Sequence, residues 1–130
     1  MIPLCLDQGL GLIPWSPMAR GFFAGNRPEA GKGETARARS DSYANSMYFK
    51  EGDHEVLERV TQIAEERGVT GPQVALAWLL NKPHISAPII GATKMEHLNQ
   101  AIAAVDIHLE EAETRRLEGA YQPHPVLGHA

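Results

Sequence analysis

Two short runs of the sequence place groups that could bind a ligand at the ends of apolar segments. The first is Ile13-Pro14-Trp15-Ser16-Pro17-Met18-Ala19-Arg20-Gly21. In α/β proteins the ligand site lies at the carboxyl ends of strands. Trp15 offers a flat face for stacking, and Ser16 with the backbone of Met18 to Gly21 offers hydrogen-bond donors with little side-chain bulk. A plain strand-ending turn fits the same residues. The second run is Ile89-Ile90-Gly91-Ala92-Thr93-Lys94-Met95-Glu96-His97-Leu98. Free N–H groups at a helix start favour an anion, and Lys94 adds a positive charge beside them. Thr93 is placed both to cap the helix and to face a phosphate, whereas the Glu96 carboxylate competes with an anion. A well-capped helix with a solvated lysine fits this run equally well, so neither run decides its chemistry alone.

The elements that must position these runs follow from pattern. Met1 to Gln8 reads as the end of a helix stopped at Gly9. Leu10 to Trp15 reads as a strand buried on both faces. Met18 to Gly52 is long and irregular, and loops of that length in a compact domain are usually functional or disordered. Asp53 is placed to cap a helix to about Arg67, with Val56, Val60, Ile63 and Ala64 on one apolar stripe. Thr70 and Gln73 form a capping box for a helix from Pro72 to Asn81, whose Val74 to Leu80 run is apolar all round, so the helix should be deeply buried. Pro88 to Ile90 reads as a second strand. Thr93 and Glu96 form another capping box, opening a helix to about Val105 with Met95, Leu98, Ile102 and Val105 on its core face. A last helix spans roughly Glu110 to Glu118, with a poor cap, and the tail from Tyr121 is irregular.

Composition narrows the function. The chain has 130 residues, 43% apolar and 22% charged, with a net charge of −4. That describes one globular domain and gives no basic patch for nucleic acid or anionic membrane. No apolar run reaches the roughly 18 residues of a membrane helix. Cys5 is the only cysteine, which fits a reducing compartment, the cytoplasm by default. His84 and His108 are isolated, and His124 and His129 lack the spacing and partners of a metal site, so no metal is expected.

Taken together, the two runs resemble the aldo/keto reductase family. The residues that carry the resemblance are Trp15-Ser16-Pro17-Met18-Ala19-Arg20-Gly21, Gln73-Val74-Ala75-Leu76-Ala77-Trp78, Gly91-Ala92-Thr93-Lys94 and Pro123-His124-Pro125-Val126. It implies an α/β fold: the C-terminal portion of a (β/α)₈ TIM barrel, comprising the last two βα units and an extra C-terminal helix. A complete barrel takes about 250 residues, so the barrel here is incomplete. The implied cofactor is NADP. Trp15 would stack on the nicotinamide, and Ser16, Met18 and Gly21 would line the pyrophosphate, with Pro17 in the same cofactor-binding turn. Gly91, Thr93, Lys94 and His97 would surround the adenosine 2′-phosphate, with Gln100 near the adenine. Arg39 and Ser40 fall in the long loop that crosses the cofactor. Met18 stands where relatives carry Leu, and Ala101 where many carry an adenine-contacting Asn.

The family's catalytic Asp, Tyr, Lys and His lie on early strands and match nothing in this sequence; Asp7, Tyr43, Lys50 and His54 do not fit those motifs. The expectation is therefore a cofactor-binding part of an NADPH-dependent reductase of aldehydes and ketones, inactive alone. It would be completed by an N-terminal partner chain or by self-association. The alternative is a non-catalytic nucleotide-binding or assembly module.

Overall fold

The computed structural model describes residues 1–24 and 51–123. Helix α1, Ile2–Asp7, has a proline at its start, where the missing N–H would have had no helical acceptor. Cys5 is its one buried residue.

The two expected strands do not form. Among the described residues, pairing is confined to two parallel bridges, Leu12 with Ile85 and Trp15 with Ile89. The cause is local. Pro14 and Pro88 each withhold an N–H from a ladder, and the bridge spacing differs between the two runs, so the register slips by one residue. Three hydrogen bonds remain. Leu12 N donates to His84 O at 3.0 Å, Ser86 N to Leu12 O at 2.8 Å and Ile89 N to Pro14 O at 2.8 Å. Burial on both faces fails too: Leu10 is 58% exposed and Ile13 is 61% exposed.

Helix α2, Glu51–Arg67, begins two residues before Asp53, which therefore lies within the first turn instead of capping it. Val60, Ile63 and Ala64 are buried as expected, with Val56 packed beside them. Helix α3, Gly71–Leu80, opens on the expected box, Thr70 N donating to Gln73 Oε1 at 3.0 Å. Val74 to Ala77 are buried, whereas Trp78 to Leu80 are only half-buried. The main core joins α2, α3 and Leu117 from the last helix. No polar side chain is buried among the described residues.

Helix α4, Met95–Ala103, departs from expectation in three ways. Its N-cap is Lys94, not Thr93, and no side chain caps it. Lys94 is the cap, so Glu96 sits at the second helical position, one too early to close a box. The helix gives way to a 3₁₀ turn, Ala104–Asp106, before Val105. Its expected core face is open: Met95 is 69%, Ile102 59% and Val105 61% exposed. Leu98, on the same face, is half-buried.

Helix α5, Glu111–Gly119, is better capped than its sequence implies. Glu110 serves as N-cap, and its N–H donates to Glu113 Oε2 at 2.6 Å. Ion pairs then clamp α5 to its neighbours. Arg67 Nε and one terminal nitrogen each donate to Glu113 at 2.6 Å, and that terminal nitrogen also reaches His108 O at 3.0 Å. Arg116 meets Glu66 through two bonds of 2.8 Å. Lys82 pairs with Glu118, which also accepts from Trp78 Nε1 at 3.1 Å.

The Arg67 guanidinium holds the Glu113 carboxyl below the usual glutamate range, helped by the Glu110 N–H. Hydrogen bonding to Lys82 and Trp78 lowers Glu118, with Lys82 the larger influence. A carboxylate lowered on folding stabilises the fold above its unfolded pKa, about 4.3 for Glu, and stops doing so as pH falls through its folded value. Thermal stability should therefore hold from neutral pH down to the ordinary glutamate range and decline below it. Glu113→Gln should cost about 1–2 kcal/mol at neutral pH and flatten that decline. Melting temperatures of both proteins across an acid series check this.

Candidate functional site

The turn after Trp15 is held in an uncommon backbone conformation. Ser16 has φ 51°, Ala19 47°, Arg20 55° and Gly21 98°. Left-handed backbone at three non-glycine residues so close together is costly, and it persists only where the surroundings enforce it. Here Ala19 N donates to Ser16 O at 2.9 Å and Gly21 N to Met18 O at 3.0 Å. The turn runs into a 3₁₀ segment, Ala19–Ala24, that is kinked at the non-helical Arg20 and Gly21. Ala19 and Phe22 are buried against Leu57 of α2, and Phe23 packs on both this cluster and the main core. The Phe23 carbonyl approaches α3 so closely that a Cβ at Gly71 would lie 2.5 Å from it. The turn is thus anchored from its C-terminal side, while Trp15 remains 59% exposed.

The second run arrives alongside through the Trp15–Ile89 bridge. A cleft of about 150 Å³ forms where the two runs meet the start of α3. Met18 comes from the first run, Gly91, His97 and Gln100 from the second, and Pro72 and Gln73 from α3. Of the residues singled out in the sequence, the structure therefore gathers Met18, Gly91, His97 and Gln100 in one cleft. Trp15, Ser16, Pro17, Gly21, Thr93 and Lys94 flank it without lining it. Arg39 and Ser40 lie outside the described residues, as do Tyr43, Lys50 and residues 124–130.

Pro72, Gln73 and Leu76 also line the cleft and were not singled out. Their signal was present but ambiguous, because a capping box and an apolar helix read first as structure.

The donor set suits an anion. Lys94 forms no ion pair among the described residues, and it precedes a helix whose first N–H groups lack helical acceptors. The Met18 N–H and the Ser16 hydroxyl have no hydrogen-bond partner among the described residues. Glu96 is the one opposing charge, in the first turn of α4. A cleft this small is below the roughly 300–1,000 Å³ of a complete small-molecule pocket.

Comparison with known proteins gives this geometry a family. The Aldo/keto reductase family profile matches residues 1–122. An aldo-keto reductase of Alternaria alternata is 40% identical over 130 residues, covering 100% of this chain and 34% of that protein. Versiconal hemiacetal acetate reductase of Aspergillus parasiticus is 37% identical over 129 residues, covering 97% of this chain and 36% of that protein. A thermostable aldo-keto reductase, solved with the inhibitor epalrestat, superposes with a TM-score of 0.63 at 26% identity, covering 92% of this chain and 33% of that one. The chain belongs to the aldo/keto reductase family. It spans about a third of the length of these relatives.

The strained turn yields a direct test. Gly21→Ala places a Cβ at φ 98° and should cost about 1–2 kcal/mol. Gly119→Ala, in open space within α5, should leave stability unchanged or raise it by up to about 1 kcal/mol. Denaturant unfolding of both variants, followed by fluorescence, measures the contrast.

Proposed function

We propose that this chain is the cofactor-binding, C-terminal part of an NADP-dependent aldo/keto reductase acting on aldehydes and ketones. The observation that supports this most is the single cleft lined jointly by Met18 from the first run and by Gly91, His97 and Gln100 from the second.

In this reading Trp15 offers its exposed ring to the nicotinamide. Ser16, Pro17, Met18 and Gly21 hold the pyrophosphate with a backbone already fixed in shape. Lys94, with Thr93 and the start of α4, favours the 2′-phosphate by charge and by helix-end donors. His97 and Gly91 border that phosphate and Gln100 the adenine; Arg39 and Ser40, outside the described residues, belong to the same cofactor-binding set. Bound NADPH would supply the hydride for carbonyl reduction. Proton delivery to the carbonyl oxygen needs the family's tyrosine, which no position here matches, so turnover requires the family's earlier strands. The exposed apolar residues Leu10, Ile13, Met95 and Ile102 offer surface on which those strands would pack. A cytoplasmic location belongs to the same reading, consistent with the unpaired Cys5.

The test is a titration of the purified chain with NADP and with NAD, followed by tryptophan fluorescence. NADP should bind more tightly, and Lys94→Ala should cost about tenfold, ~1.4 kcal/mol, for NADP while leaving NAD unchanged. NADPH consumption with small aldehydes should be absent for the chain alone. Equal affinity for the two dinucleotides would contradict the phosphate assignment, and turnover by the chain alone would contradict the missing chemistry.

A further inference from the structure

Two buried anchors bracket the kink of the strained turn. Ala19 precedes it and Phe22 follows it, and both pack with Leu57 of α2 in one small cluster. Arg20 and Gly21 lie between them and carry the non-helical backbone, with φ of 55° and 98°. Left-handed backbone at Arg20 is unfavourable by itself, so it persists where the residues on either side are seated. Phe23, beyond the kink, packs on both this cluster and the main core, whereas Ala19 and Phe22 belong to the small cluster.

Phe22 is the larger anchor and is 3% exposed. Its ring meets Phe23 edge-on, with centroids 5.6 Å apart at 67°, and His54 in the first turn of α2 at 5.9 Å and 63°. Burying one aromatic ring contributes on the same scale as one left-handed non-glycine residue costs. The ring does not line the cleft. Met18 does, and it is tied to the kink because Gly21 N donates to its carbonyl at 3.0 Å.

We propose that Phe22 is a positioning residue for ligand binding: seated on α2 and out of reach of the ligand, it holds Ser16 to Gly21 in the shape that receives the dinucleotide. The proposal rests on the NADP reading above and divides that site in two. The turn depends on Phe22, whereas α4, whose start is assigned the 2′-phosphate, packs on α3. A turn released by loss of the ring spends only part of its time in the binding shape, and apparent affinity falls by that fraction.

The experiment is a calorimetric titration of the purified chain, Phe22→Ala and Phe22→Leu with NADP, NAD and adenosine 2′-monophosphate. Cooperative unfolding in denaturant first shows that each protein is folded. The mononucleotide carries the phosphate assigned to α4 and nothing that reaches the turn. Phe22→Ala should weaken NADP and NAD by the same factor, about tenfold, and the mononucleotide by less than about twofold. Phe22→Leu keeps apolar bulk but loses both edge-on ring contacts. It should weaken the dinucleotides by about threefold, and it decides alone if Phe22→Ala does not fold. Unchanged dinucleotide affinity in the folded variants, with NADP still preferred to NAD, would overturn this proposal and leave the NADP reading standing. Equal weakening of all three ligands, or failure of both variants to fold, would also overturn it, because the ring would then support the whole fold. Equal binding of NADP and NAD by the unaltered chain would overturn the phosphate reading alone, with the loss of dinucleotide affinity in the variants still deciding the role of Phe22. No measurable binding of any of the three would overturn both.

Discussion

Helix α3 can be buried at its start only if something apolar meets it on each side, and the rest of the structure follows from that requirement. Val74 and Ala77 are completely buried, and Leu76 is 2% exposed. Ile63 and Ala64 of α2 supply one partner, Leu117 of α5 another, and Phe23, at the end of the strained turn, a third. Fully burying one Val, Leu or Ile stabilises the fold by about 1.5–3 kcal/mol, comparable to the cost of one to a few left-handed non-glycine residues. The same packing that forms the core therefore holds Ser16 to Gly21 in a shape the chain would not adopt unaided. Because α3 begins at the cleft, the core and the candidate site share Leu76, with Pro72 and Gln73 beside it.

The ion pairs along α5 act differently. That helix contributes Leu117 to the core, while its outer residues meet α2 and the turn after α3 through Arg67–Glu113, Arg116–Glu66 and Lys82–Glu118. The Arg116–Glu66 pair is exposed on both sides and contributes little. Arg67–Glu113 is the more enclosed, and Glu113 also caps its own helix, so one carboxylate serves both the interface and the helix start. The lysine over the Trp78 ring, 4.8 Å from its centre, ties the end of α3 into the same arrangement.

Much of this was legible in the residues. The α2 stripe, the Thr70–Gln73 box and the buried start of α3 depend on neighbours within a turn or two, and the sequence displays those neighbours. The failures involve partners that the sequence does not name locally. Leu10 to Trp15 has strand character, yet a ladder needs donors that Pro14 and Pro88 lack and neighbours on both sides. Met95, Ile102 and Val105 form a good apolar stripe, but periodicity states only that a face wants cover, not that cover is present. Thr93 lost the capping position because the extended conformation of Lys94 moved the helix start by one residue. At the site, the two runs were recognisable by type and spacing. Their meeting place on α3 was not, because Pro72, Gln73 and Leu76 already had a structural explanation.

The central claim is that Ser16 to Gly21 and the start of α4 form one binding site across the head of α3. A proton–nitrogen correlation spectrum of the chain, recorded through an NADP titration, tests it most directly. The account predicts that the amides of Met18 and Gly21 and those of Met95 and His97 shift together along one saturation curve, while amides at the end of α5 stay in place. Shifts confined to one of the two groups, or two groups saturating at different concentrations, would contradict it.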